Sequence, residues 1–196
     1  MKVTKADGRP LDRVEAFCYR GRGVEYYCLL RENVGSAEVL GYDGIVRGGA
    51  EGQSGVEKIS VALPARGHVY DCLAKNYLGS GGRFEAEILP AQAKVFAVYP
   101  YEIKVMRVRM EALANVVDYS FEVVASDGKP REHTVVLEVM NSAGHKNPLY
   151  SKNIRARNGK ADGRIRFSLE GETGAWTLRF TEAASGITKS VEVLVP

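Results

Sequence analysis

Glu85 and Glu87 stand two positions apart in the stretch Phe84-Glu85-Ala86-Glu87-Ile88. On an extended strand that spacing puts both carboxylates on one face, about 7 Å apart. Hydrolysis of a glycosidic bond needs such a pair, about 5–10 Å apart, one acid and one base or nucleophile. Here the two glutamates alternate with apolar residues, which is the pattern of a solvated strand face. We therefore assign no catalytic residue to the pair. Other catalytic sets are not legible. G-x-S-x-G is absent, the serines lie mainly in turn-like stretches, and no glycine run matches a phosphate-binding loop.

Metal and redox chemistry have as little support. The three histidines, His68, His133 and His145, are scattered, and H-E-x-x-H, paired C-x-x-C and EF-hand spacings are missing. Asp118, Asp127 and Asp162 read as turn formers rather than calcium ligands. Cys18, Cys28 and Cys72 make no even framework. Cys18 and Cys28 flank a turn at Gly21-Arg22-Gly23 and are expected on neighbouring strands as small buried hydrophobes. No cofactor is expected.

Two residue groups could contact a ligand. The first is a run of cations: Lys152, Arg155, Arg157, Lys160, Arg164 and Arg166, with Lys146 just before them and only Asp162 as an acid among them. Read as one surface, these six would face an acidic partner such as an anionic polysaccharide. Read structurally, they are solvated outer positions that discourage edge-to-edge pairing. The second group is aromatic: Tyr26, Tyr27, Tyr42 and Tyr77 are the candidate carbohydrate-facing residues among ten tyrosines, with core filling as the alternative.

The elements that would carry these residues are strands. Residues 69–100 hold a strand, a tight turn, a second strand, a Leu-Pro break and a third strand, each with one buried and one wet face expected. Upstream, 14–19 and 24–30 read as a hairpin, 39–42 and 45–46 as short strands, 48–55 as a glycine-rich loop, and 56–63 as a strand ended by Pro64. Residues 1–13 read as a polar lead-in. Downstream, seven candidate strands fall at 103–110, 119–125, 134–141, 150–156, 164–169, 176–181 and 189–195. Turn signals such as Asn158-Gly159 and Ser185-Gly186 separate them, which is the spacing of an immunoglobulin-like sandwich. Ile165, Phe167 and Leu169 are expected to face inward, as are Trp176, Leu178 and Phe180. Only residues 111–117 resemble a helix, of two turns at most.

The bulk numbers agree. A chain of 196 residues with 45% hydrophobic content is globular, with room for two domains of about 100 residues. The net charge of +3 lies wholly in residues 103–196 and is too small to argue for nucleic acid. No apolar run approaches the ~20 residues of a membrane helix. Met1-Lys2 is followed by polar residues rather than an apolar run, so no secretory leader is expected here, although the chain could be a piece of a longer one.

Certain wording also resembles a known group. Tyr70-Asp71, Tyr77-Leu78-Gly79, Leu89-Pro90 and Lys94-Val95-Phe96-Ala97-Val98-Tyr99-Pro100 are similar to the C-terminal β-sandwich of large bacterial β-galactosidase-like glycoside hydrolases, over roughly residues 14–101. Asp127-Gly128-Lys129-Pro130, Asn158-Gly159-Lys160-Ala161 and Gly174-Ala175-Trp176-Thr177-Leu178 resemble Ig-like or macroglobulin-type modules. The resemblance implies a non-catalytic accessory pair. Its partners would be a catalytic glycosidase domain or another protein domain, with polysaccharide contact as a further role and a periplasmic or extracellular location. Neither nucleic acid nor a membrane span is implied. The alternatives are an independent carbohydrate-binding module and a surface adhesin or assembly subunit. The expected fold is all-β: two tandem antiparallel β-sandwiches, 1–102 and 103–196, the second immunoglobulin-like with about seven strands.

Overall fold

The computed structural model describes residues 1–11, 13–31, 56–89, 91–127 and 129–195. These contain antiparallel strands and no helix, so the fold is all-β. The expected strands at 39–42 and 45–46, the loop at 48–55 and Tyr42 lie outside the described residues. In chain order the strands are β1 (Lys2–Lys5), β2 (Val14–Gly21), β3 (Val24–Arg31), β4 (Glu57–Asp71), β5 (Asn76–Ile88), β6 (Ala93–Tyr99), β7 (Ile103–Leu113), β8 (Val116–Ala125), β9 (His133–Met140), β10 (Lys152–Ala156), β11 (Lys160–Arg166), β12 (Gly174–Glu182) and β13 (Thr188–Val195).

The strands before Ile103 form one six-stranded sheet in the order β1-β4-β6-β3-β2, with β5 also on β4. The long strand β4 is shared out along its length. Its first part pairs with β1, its last four residues pair with β6, and β5 follows the opposite edge of both parts. Register shifts between Ala62 and Gly67 mark the change. Pro64 falls in that shifted segment, where no ladder N–H is needed, so it marks a bulge instead of ending the strand as its type suggests. The polar lead-in likewise contributes β1, because pairing with β4 satisfies its backbone whatever its side chains.

The strands from Ile103 onward form two sheets, β11-β8-β7 and β10-β9-β12-β13. Their inward residues meet in one core that includes Phe121, Val123, Leu137, Trp176, Leu178 and Phe180. Trp176 plugs this core through ring contacts with Phe167 and Tyr150. Residues 111–117 are a β7–β8 hairpin end, with Leu113 opposite Val116, and not a helix. Cross-strand partners supply what local propensity lacked. Leu169 is 85% exposed rather than inward, because β11 ends at Arg166 and the chain then turns away.

One layer lies between two cores. In β6, Phe96 and Val98 enter a smaller core with Tyr27, Leu29, Ile59, Val61, Val69, Phe84 and Ile88. Ala97 and Tyr99 on its other face enter the larger core, as do Val24, Tyr70 and Tyr101. These strands therefore lack the wet face expected of them. The alternation Phe96-Ala97-Val98-Tyr99 is one of destinations, and it reads in sequence as the nearly continuous apolar run of a doubly covered strand.

Gly67 sits under this layer. A Cβ there would stand 2.6 Å from the Tyr99 carbonyl oxygen and 2.7 Å from Val98 Cγ1. Gly67→Ala is expected to destabilise the fold by about 1–3 kcal/mol through overpacking, read as a lower urea midpoint with an unchanged slope. An unchanged midpoint would mean that the bend relaxes freely.

Candidate functional site

The residues picked out by the sequence do not converge. Tyr27 is 1% exposed in the smaller core, with its hydroxyl on Glu25, so it offers no ring face to a sugar. It pairs across to Cys18 on the inward side of β3, which is why its neighbour Tyr26 points the other way, half-buried against the larger core. Tyr77 is 41% exposed, but His68 stacks on it at 5.8 Å and its hydroxyl lies 2.8 Å from His68 Nδ1.

The six cations also separate. β10 and β11 belong to different sheets, so their outer faces point away from each other. Arg155 is bound to Glu132, Lys160 to Glu122 at 3.1 Å, and Arg164 to Asp118 through two hydrogen bonds of 2.6 and 2.8 Å. Lys152 lies 5.7 Å from the centre of the Tyr119 ring. Arg157 forms a backbone β-bridge with Lys160, and Arg166 shares the exposed face of β11 with Lys160 and Arg164. Glu85 and Glu87 line the exposed face of β5, opposite Ser60 and Lys58. The cysteines are free. Cys18 is exposed rather than buried, and it pairs with Tyr27 while Cys28 pairs with Phe17, so the two thiols project from opposite faces of the hairpin. Burial lifts the Cys72 thiol to about 12, far from the range of a reactive thiolate.

The constellation that the tertiary structure assembles lies at the junction of the two halves. His133, at the start of β9, and Glu182, at the end of β12, are each 1% exposed. His133 Nδ1 is 3.1 Å from Glu182 Oε1, and its Nε2 is 3.0 Å from the Tyr101 hydroxyl. Tyr99 stacks on the imidazole at 4.8 Å with 3° between the planes. The Arg131 amide donates to the Tyr101 hydroxyl, and Glu182 Oε2 accepts from the Ala184 amide, the Ser185 amide and the Ser185 hydroxyl. One protonation assignment satisfies every atom. Tyr101 donates to Nε2, and the Nδ1 proton is donated to the carboxylate. Burial opposes the charge on Glu182, yet the bonds from His133 and Ser185 outweigh it and hold the carboxyl below its ordinary range. Burial pushes the Tyr101 phenol up to about 12.

Carboxylate, imidazole and hydroxyl in line have the order of a proton relay. The terminal oxygen here is a buried phenol already bonded to the Arg131 amide. Around this centre, Tyr70 accepts the Ile103 amide at 2.7 Å, and Arg22 binds Glu132 at 2.5 Å. Gly186 approaches Lys75 so closely that a Cβ would stand 2.7 Å from the Lys75 Cβ. No local pattern marks His133 as special, since its partners Tyr101 and Glu182 lie 32 and 49 residues away.

The open surface carries other depressions. A shallow one of about 440 Å³ on β11-β8-β7 is lined by Arg107, Arg109, Ser120, Glu122, Lys160 and Asp162. Another, of about 270 Å³ beside the junction, is lined by Arg22, Tyr26, Glu132 and the backbone around His133. Among the described residues no group of three or more His, Cys, Asp and Glu side chains could hold a metal ion, and no helix is long and apolar enough to cross a membrane.

No family model and no curated relative matches the chain. Among solved structures it is similar to β-glucuronidase of Ruminococcus gnavus, a glycoside hydrolase. The apo structure at 1.7 Å resolution aligns at 11% identity and a TM-score of 0.29, covering 89% of this chain and 36% of that one. The complex with uronic isofagomine aligns at 11% and 0.28, covering 89% and 35%. The chain spans about a third of the length of these glucuronidase chains. At that identity and TM-score the likeness assigns no activity.

Acid should loosen the junction. A carboxyl whose folded value is lowered stabilises the fold above the unfolded value of about 4.3, and that contribution disappears as pH falls through the folded value. Glu182→Gln should flatten the acid limb of the stability profile, measured as urea midpoints between neutral pH and about pH 3. His133→Ala strands the buried charge and should cost about 3–5 kcal/mol at neutral pH. Tyr101→Phe, which removes one hydroxyl, should cost about 1–3 kcal/mol.

Proposed function

We propose that the chain is a non-catalytic accessory unit of a glycoside-hydrolase-like protein. A six-stranded first unit, 1–102, and an Ig-like sandwich, 103–196, are locked into one body that positions or packs against a catalytic domain. The observation that carries this reading is the sealed junction. The Tyr101 hydroxyl bonds across the halves to His133 Nε2 and the Arg131 amide, while Glu182 and the Ser185 turn, all within 103–196, hold His133 in place for it. Burying a carboxylate and an imidazole is costly unless every atom is paired, and full pairing suits a fixed interdomain angle. The resemblance of residues 14–101 to accessory sandwiches of large glycosidases points the same way.

A rigid pair should unfold as a unit. Trp176, the single tryptophan, reports on the second half. Its fluorescence transition is expected to coincide with the calorimetric transition of the whole chain. Two resolved transitions would overturn the locked pair. The purified chain is also expected to release no chromophore from a panel of aryl glycosides. Turnover that vanished in the surface variant Glu85→Gln/Glu87→Gln, with unchanged melting, would overturn the non-catalytic reading.

Sugar contact through Tyr77 is the second reading, favoured by its 41% exposure at the open end of β5. Calorimetric titration with neutral oligosaccharides should then show heat that Tyr77→Ala abolishes. A variant that binds as well as the parent would remove Tyr77 from consideration.

A further inference from the structure

The depression on β11-β8-β7 brings two exposed guanidinium groups to one sheet face. Cross-strand register makes two rows on the outer face: Arg107, Glu122 and Lys160 in one, Arg109, Ser120 and Asp162 in the next. The residues between them, Val108, Phe121 and Ala161, turn toward the larger core. Arg107 and Arg109 are therefore neighbours on one strand face, about 7 Å apart. A third row follows, in which Arg164 is held by Asp118.

The cations of these rows differ in how they are employed. Lys160 is paired with Glu122 and Arg164 with Asp118. Arg107 and Arg109 are exposed, and among the described residues neither has an ion-pair partner. Two unneutralised guanidinium groups side by side repel each other, and each presents a planar fork that a carboxylate or sulfate fits through paired hydrogen bonds.

The other lining groups select among anions. Glu122 and Asp162 would repel a ligand that is acidic throughout, but both accept hydrogen bonds from hydroxyl groups, and the Ser120 hydroxyl can do either. A ligand carrying acid groups and hydroxyl groups in alternation satisfies the whole lining. The depression is open and shallow, about 440 Å³, which suits an extended chain crossing the sheet rather than an enclosed small molecule. Phe121 points inward, so recognition would rest on hydrogen bonds and charge instead of ring stacking.

We propose that this face of β11-β8-β7 binds a segment of an anionic polysaccharide, with its acid groups on Arg107 and Arg109 and its hydroxyls on Ser120, Glu122 and Asp162. The site does not depend on the accessory role proposed above, and none of its lining residues belongs to the set Tyr99, Tyr101, His133 and Glu182. It is also distinct from the six cations picked out in the sequence, of which only Lys160 lines it.

Affinity electrophoresis of the chain at low salt, in gels containing polygalacturonate, dextran sulfate, neutral dextran or poly-glutamate, tests the proposal. Polygalacturonate or dextran sulfate should retard the chain, the stronger of the two identifying carboxylate or sulfate as the acid group, and neutral dextran should not. Retardation should weaken as salt is raised. Arg107→Gln/Arg109→Gln should bind at least about tenfold more weakly, the loss of two charge-assisted contacts, with melting unchanged. Lys58→Gln/Lys189→Gln removes the same charge elsewhere and should bind like the parent. Equal weakening in both double variants would reduce the effect to net charge and overturn the site. So would retardation by none of the acidic polymers. Poly-glutamate binding as tightly as polygalacturonate would overturn the polysaccharide assignment in favour of an acidic polypeptide.

Discussion

The stacking of Tyr99 on His133, with Tyr101 and Glu182 at the two ring nitrogens, is the contact on which the arrangement of the whole chain depends. It joins the end of β6 and the short connection after it to β9 and β12. Apolar packing alone would let the two halves slide, because such packing is non-directional. The buried Tyr101 hydroxyl, which meets His133 Nε2 and the Arg131 amide of the other half at once, tolerates little displacement. Its burial would then go uncompensated.

The same junction explains the middle layer. Because β6 and the end of β4 are covered on both sides, their odd and even residues serve different cores: Phe96 and Val98 one, Ala97 and Tyr99 the other. A polar residue on either face would meet an interior. The asymmetry of the surface follows as well. Charges far from the junction form cross-strand ladders such as Arg164 with Asp118, and Arg179 and Lys146 with Glu138, which hold those carboxyls below their ordinary range. Exposed pairs of this kind contribute little to stability. Among the described residues Arg107 and Arg109 have no ion-pair partner, which is the basis of the proposed anion site on that face.

Strands with a two-residue period were legible from the residues alone. The β2–β3 hairpin and the β12 core set of Trp176, Leu178 and Phe180 both follow from local chemistry. Pro64 misled because a proline ends a strand only where its missing N–H is needed, and a register shift removes the need. Residues 111–117 misled because two turns of helical spacing carry little information against a partner strand. Tyr27 misled because a residue type advertises chemistry, but which way it faces depends on its strand's partner.

Thus the sequence by itself determined the fold class and the strand periods, since both rest on neighbours a few positions apart. Tertiary structure alone decided that β6 would have no wet face, that Cys18 and Cys28 would point apart, and that His133 would find Glu182. Those outcomes depend on which sheets stack and in what register. Such pairings join residues dozens of positions apart, and no local pattern encodes them.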